Sequence, residues 1–185
     1  MLKKSLLLSL ITFSSSMSYA EGLSLRFSPT GADSNLKSKT VGVKFDNKVK
    51  GTVYYLGLDT QVSESIFLDT SLGYGELGNS KEKKFTDRVL KVMSRFIAYK
   101  TGEFENIYGT AGLAIHNMSR AGKKFESYGA VVGLGIKNEV IQGFGFCLGA
   151  TYEKSLSTQS YSVEGIKVEN DYSSLELAVS LTYKL

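Results

Sequence analysis

The chain has 185 residues, with 22 Lys and Arg against 18 Asp and Glu, and it is rich in Gly (19) and Tyr (11) but holds one Pro, one Cys and one His. A single cysteine excludes an intrachain disulfide, and scarce proline beside abundant tyrosine and glycine favours strands with intact ladders. Without Lys3 and Lys4, which fall in the leader described next, 20 basic residues face 18 acidic ones, a balance too near neutrality for a nucleic-acid surface.

The first twenty residues set the pair Lys3-Lys4 before an apolar and hydroxylic stretch over 6–13, and they end on Ser18 and Ala20, the two small side chains a signal peptidase needs. This layout predicts a secretory signal peptide over 1–20, cleaved after Ala20, and one domain of about 165 residues over 21–185. The apolar core is too short for a membrane helix, which takes roughly 20 residues. Nothing downstream is apolar enough either, and mean hydropathy is −0.06. Barrel strands escape that test, because they show lipid only every second side chain.

From residue 22 onward apolar and polar residues alternate, with no run of helical period. Leu23, Leu25 and Phe27 mark a strand over 22–29, and Val41, Val43 and Phe45 a further candidate over 40–45. Over 52–62, Tyr54, Leu56, Leu58 and Val62 share one face and Tyr55, Gly57, Asp59 and Gln61 the other. A short link leads to 66–75, where Ile66, Leu68, Leu72 and Tyr74 oppose Asp69, Ser71, Gly73 and Gly75. After a polar stretch at 78–87, the segment 88–100 sets Leu90, Val92, Phe96 and Ala98 against Lys91, Met93, Arg95 and Tyr99. Segments at 107–117 and 128–137 follow, separated by a basic loop over 119–125. Phe144, Phe146, Leu148, Ala150 and Tyr152 then alternate with Gly145, Cys147, Gly149, Thr151 and Glu153, and a polar loop over 154–170 precedes the most regular segment, 174–185.

Short links at 63–65, 102–106 and 138–143 alternate with long ones at 78–87, 118–126 and 154–170, the asymmetry of membrane barrels with tight periplasmic turns and longer external loops. Bulky Leu, Phe and Tyr lie on one face, while the other is rich in small side chains, as a narrow lumen demands. Tyr54, Tyr74, Phe96, Tyr128, Phe144, Tyr152, Tyr172 and Tyr183 are assigned to the apolar face near segment ends, where rings meet the water–lipid interface. The expected fold is all-β, an eight-stranded antiparallel up-and-down transmembrane β-barrel whose first strand is 22–29, with 40–45 in the first external loop. If 40–45 is the first crossing instead, residues 21–36 become a tail or plug.

The last eleven residues carry Leu177, Leu181, Tyr183 and Leu185 at alternating positions. They resemble the C-terminal signature that barrel-assembly machinery reads, although that family usually ends in Phe or Trp. Over the mature chain the plan resembles small barrels of the OmpX and OmpA transmembrane-domain type, a likeness of pattern without a unique motif. The resemblance implies a monomer in the cell outer membrane, with lipid, lipopolysaccharide and the assembly machinery as partners and no nucleic acid.

On this plan the lumen collects Arg26, Asp59, Asp69, Lys91, Arg95, His116, Lys137, Glu153 and Glu176. They are read as a structural ion-pair network, because an unpaired buried charge is costly and an eight-strand barrel is too narrow for an open ion path. No catalytic set converges. Barrels that deacylate lipid A pair a His with a Ser two residues on, whereas Ser119 follows His116 by three and falls on the opposite face. Gly73, Gly75 and Gly78 form a Gly-x-Gly-x-x-Gly string with no helix behind it, Cys147 reads as a lumen filler, and no cluster has metal-ligand spacing, so no cofactor or metal is expected. Lys81, Lys83, Lys84, Arg120, Lys123 and Lys124 put basic charge in external loops, where anionic lipopolysaccharide head groups lie. The functional reading is a structural or surface-interaction barrel that is not an open pore. The alternatives are a lipid A-modifying enzyme and a soluble periplasmic lipocalin-like lipid carrier.

Overall fold

The computed structural model describes residues 22–40, 43–78, 85–101, 105–120, 123–141, 143–156, 159–163 and 166–185. The expected leader and Lys81, Lys83 and Lys84 lie outside them. The chain runs through β1 (Leu23–Thr40), β2 (Val43–Ser63), β3 (Ile66–Gly78), β4 (Phe85–Thr101), β5 (Glu105–Arg120), β6 (Lys123–Ile141), β7 (Phe144–Ser155), β8 (Gln159–Val163) and β9 (Ile166–Lys184). Each strand from β1 to β7 pairs antiparallel with the next, β7 pairs with β9, and β9 returns to β1, which closes the wall at eight strands. The short β8 pairs only with the outer part of β9, from Gln159↔Asn170 to Val163↔Ile166.

The strands run further than the alternation suggested. β1 continues unbroken past residue 29 to Thr40, whose partner is Val43, so the described part of the candidate at 40–45 forms the paired ends of β1 and β2, and Val41 lies outside the described residues. Two expected loops are also largely sheet. Arg120 pairs with Lys123, and residues 154–170 contain the end of β7, β8 and the start of β9. A polar run on a strand beyond the bilayer reads as a loop, although its backbone still completes the ladder.

In the membrane band the bulky side chains point out: Leu72, Leu134, Leu177 and Leu181 are each more than 60% exposed. Tyr54 and Tyr74 face each other across β2 and β3 at one edge of this band. Beyond them the rule reverses. Outward positions become Asp33, Lys37, Lys39, Lys48 and Lys50, while Leu36, Val49, Leu77, Phe85 and Met118 turn inward and are buried. A wall standing in water gains most by enclosing its apolar face, whereas a wall in lipid shows it.

Two aromatic assignments are corrected. Tyr172 is 4% exposed and lies inside, because the inward set on β9 is Tyr172, Ser174 and Glu176. Tyr99 is 61% exposed: the register shifts between Ile97 and Tyr99, and the extra residue reverses the side to which the strand end points. Inward glycines make room for rings. Tyr55 lies over its cross-strand partner Gly73, and a Cβ at Gly135 would sit 2.5 Å from the Tyr108 hydroxyl.

Candidate functional site in the barrel lumen

Alternation alone aims Arg26 on β1, Asp59 on β2, Asp69 on β3 and Arg95 on β4 into the barrel, and the register makes Asp59 and Asp69 direct cross-strand partners. Like charges so placed repel, and two guanidiniums compensate them. Arg95 Nη1 and Nη2 donate to Asp59 Oδ2 at 2.9 Å and Asp69 Oδ2 at 3.1 Å. Arg26 Nη2 donates to Asp69 Oδ1 at 2.5 Å, and its Nε lies 3.6 Å from Asp59 Oδ1. All four side chains are buried, so two cations and two anions form a neutral quartet across the lumen. The Arg95 guanidinium also stacks 4.6 Å from the centre of the Tyr108 ring.

A second cluster lies nearer the end that carries the long hairpins. Lys91 Nζ donates to Glu176 Oε2 at 2.7 Å and stands 3.5 Å from Glu153 Oε2, while the Tyr55 hydroxyl donates to Glu176 Oε1 at 3.2 Å. His116 is fully buried, with Nδ1 2.8 Å from Asp87 Oδ2 and Nε2 hydrogen-bonded to Glu153 Oε1. With both carboxylates ionised, both contacts are donor–acceptor bonds only for the imidazolium, since a neutral ring has one N–H. The Tyr172 ring packs 5.1 Å from the imidazole, and its hydroxyl lies 3.1 Å from Ser34 Oγ. Above this cluster the inward side chains are apolar, including Leu36, Val49, Leu77, Phe85 and Met118.

Eight of the nine residues read as lumen charges are therefore buried and bonded within these two groups. Lys137 is only half-buried, at the mouth on the side of the short links, and its ammonium lies 5.5 Å from the Phe67 ring centre. The sequence reading missed Asp87, which it left in the polar stretch at 78–87. Asp87 is 1% exposed on β4, and the alternation of Phe85, Asp87 and Val89 was the signal for it. Cys147 is buried in the lumen wall. Of the external cations, Lys124 is exposed, and the side chains of Arg120 and Lys123 lie outside the described residues. Leu177, Leu181, Tyr183 and Leu185 stand exposed on the outer face at the closing strand. Exposed leucines covering the exterior do not fit the soluble lipid carrier, which would keep that face inside.

This geometry defines a small membrane-facing β-barrel with an internally neutralised lumen. No family model matches the sequence, and no curated protein matches it. Solved structures share the fold. The outer membrane protein OprG from Pseudomonas aeruginosa is 12% identical, with a TM-score of 0.65 over 90% of this chain and 97% of that one. AlkL, an outer membrane protein determined in lipid bilayers, is 11% identical, with a TM-score of 0.60 over 89% and 90%. Neisserial surface protein A is 14% identical, with a TM-score of 0.57 over 86% and 97%. The fold is that of small eight-stranded outer-membrane barrels, and the apolar, tyrosine-edged exterior is a surface for the bilayer.

Proposed function

We propose that this chain is a surface-interaction barrel of the outer membrane that conducts nothing along its axis and holds anionic lipopolysaccharide against its outer hairpins. The observation that carries the reading is the filled lumen. The Arg26–Asp59–Asp69–Arg95 quartet crosses it on the periplasmic side, and the His116 cluster lies beneath an apolar layer on the other. With transit through the axis closed off, the exterior is left to act. Above the band the β1–β2 hairpin turns Lys37, Lys39, Lys44, Lys48 and Lys50 outward, and Lys39 and Lys44 are direct cross-strand partners. Two like charges in that position destabilise a hairpin; Glu169 on β9 stands opposite Lys39 and Asp33 pairs with Lys50 at 2.8 Å, which leaves chiefly Lys44 and Lys48 for an anionic partner. Lys124 and the expected cations at Lys81, Lys83, Lys84, Arg120 and Lys123 extend the same charge. The C-terminal residues Leu177, Leu181, Tyr183 and Leu185 would serve as the assembly signal. A lipid A-modifying role has less support, since both ring nitrogens of His116 are engaged by carboxylates and among the described residues no nucleophile is bonded to it.

Charge reversal tests the reading. Lys44→Glu, Lys48→Glu and Lys50→Glu together should lower the affinity of the folded barrel for lipopolysaccharide micelles by at least tenfold, and the loss should shrink in high salt. Unchanged affinity would remove the reading, as would steady single-channel conductance of the wild-type barrel in a planar bilayer.

A further inference from the structure

We propose that the periplasmic mouth of the lumen is a binding site for a small oxyanion, a carboxylate or a phosphate group, held chiefly by Lys137. The strand ends on the side of the short turns enclose a cavity of about 160 Å³ whose walls include Gln61, Arg95, Tyr108, Lys137, Glu139 and Lys184. Its inner end is the charge quartet, so a ligand enters and leaves from the periplasm alone.

The charged groups around this cavity are not equally committed. Arg95 is committed to Asp59 and Asp69, and that group is neutral. Glu139 is exposed, and its Oε1 accepts a hydrogen bond from the Gly143 backbone N–H at 3.0 Å. Lys137 is half-buried, and among the described residues no carboxylate lies within ion-pair distance of it; its ammonium stands over the face of Phe67. Lys184 is exposed and also lacks a carboxylate partner among them. Lys137 therefore meets the cavity as a cation without an ion-paired carboxylate, and a concave site with low-dielectric walls concentrates its field.

The donors suit an oxyanion. The Lys137 ammonium has three N–H groups, and burial of its stem leaves few places for them to point. The Tyr108 hydroxyl makes no hydrogen bond to a described residue, although the rest of its ring is fixed under the Arg95 guanidinium. Gln61 adds an amide at the rim. A cation, a hydroxyl and an amide around a cavity of this size match one carboxylate or one phosphate group, and an uncharged ligand would leave Lys137 unpaired.

The test is isothermal titration of the refolded barrel in a non-ionic detergent with sodium phosphate and, separately, sodium acetate, against sodium chloride at equal ionic strength. Saturable binding of either oxyanion is expected, and whichever binds tighter identifies the class. Lys137→Gln should weaken it at least tenfold and Tyr108→Phe several-fold, while Lys154→Gln, exposed on β7, should leave it unchanged. Heat-modifiable migration of each variant confirms that the barrel is folded. Full affinity in Lys137→Gln would overturn the proposal, as would chloride competing as well as the oxyanions or heats that rise without saturation.

Discussion

Asp59 and Asp69 face each other directly across β2 and β3, and both carboxylates are gripped by the same guanidinium, that of Arg95. Arg26 reaches the same two acids from β1, so the quartet ties four consecutive strands together through the lumen. Arg95→Ala leaves two buried carboxylates facing each other with one cation between them. It should destabilise the folded barrel by about 3–5 kcal/mol in urea unfolding from micelles. Replacing all four residues with apolar side chains of similar volume should cost far less, because no charge is then stranded.

The His116 cluster should behave as a unit. His116→Ala removes the donor of both Asp87 and Glu153, and Asp87→Ala removes one acceptor. Their effects on unfolding free energy should fall short of additivity in the double variant, with a coupling of about 0.5–3 kcal/mol. Strictly additive losses would mean that the two side chains stabilise the barrel independently.

Leu72 and Leu77 lie on one strand and face opposite environments. Leu77 is 2% exposed inside the long-hairpin end of the barrel, and Leu72 is 65% exposed on the band. Leu77→Ala should therefore cost about 2–5 kcal/mol, as a cavity in a packed core does, whereas Leu72→Ala gives up contacts with lipid only. Amide hydrogen exchange should quicken in the outer parts of β2 and β3 for Leu77→Ala and remain slow within the band.

Gly135 gives way to a ring. A Cβ there would lie 2.5 Å from both the Leu148 carbonyl oxygen and the Tyr108 hydroxyl, so Gly135→Val should reduce the folded yield measured by heat-modifiable migration. Combining it with Tyr108→Ala should recover part of that yield, since the ring is then gone and only the backbone contact remains.

Much of this architecture was legible because strand alternation is a two-valued signal. Over 52–62 it separated Tyr54, Leu56 and Leu58 from Tyr55, Gly57 and Asp59, and the barrel closes on those terms. The signal failed where the environment or the register changed. Between Val49 and Tyr54 the apolar side chains switch parity because the strand leaves the bilayer. A reader expecting one oily face throughout takes the outer hairpins for loops, and so passes over Asp87 and the lysines of β1 and β2. The bulge before Tyr99 shifts one ring by a single residue, and Tyr172 reads as an interfacial ring by its residue type, although its parity on β9 turns it inward. Which charges pair depended on register across strands far apart in sequence. Asp59 and Arg95 are 36 residues apart, and no local pattern joins them.

The chain contains no tryptophan, so a single introduced indole reports its own surroundings without background. The claim that the band of this barrel faces hydrocarbon is tested most directly by Leu134→Trp and Leu177→Trp, compared with Lys48→Trp, in vesicles of acyl-brominated lipid. The first two should be quenched strongly by the bromines and hardly by aqueous iodide, and the third should show the reverse. Indoles at 134 and 177 that iodide reaches and bromines do not would contradict a membrane-spanning barrel.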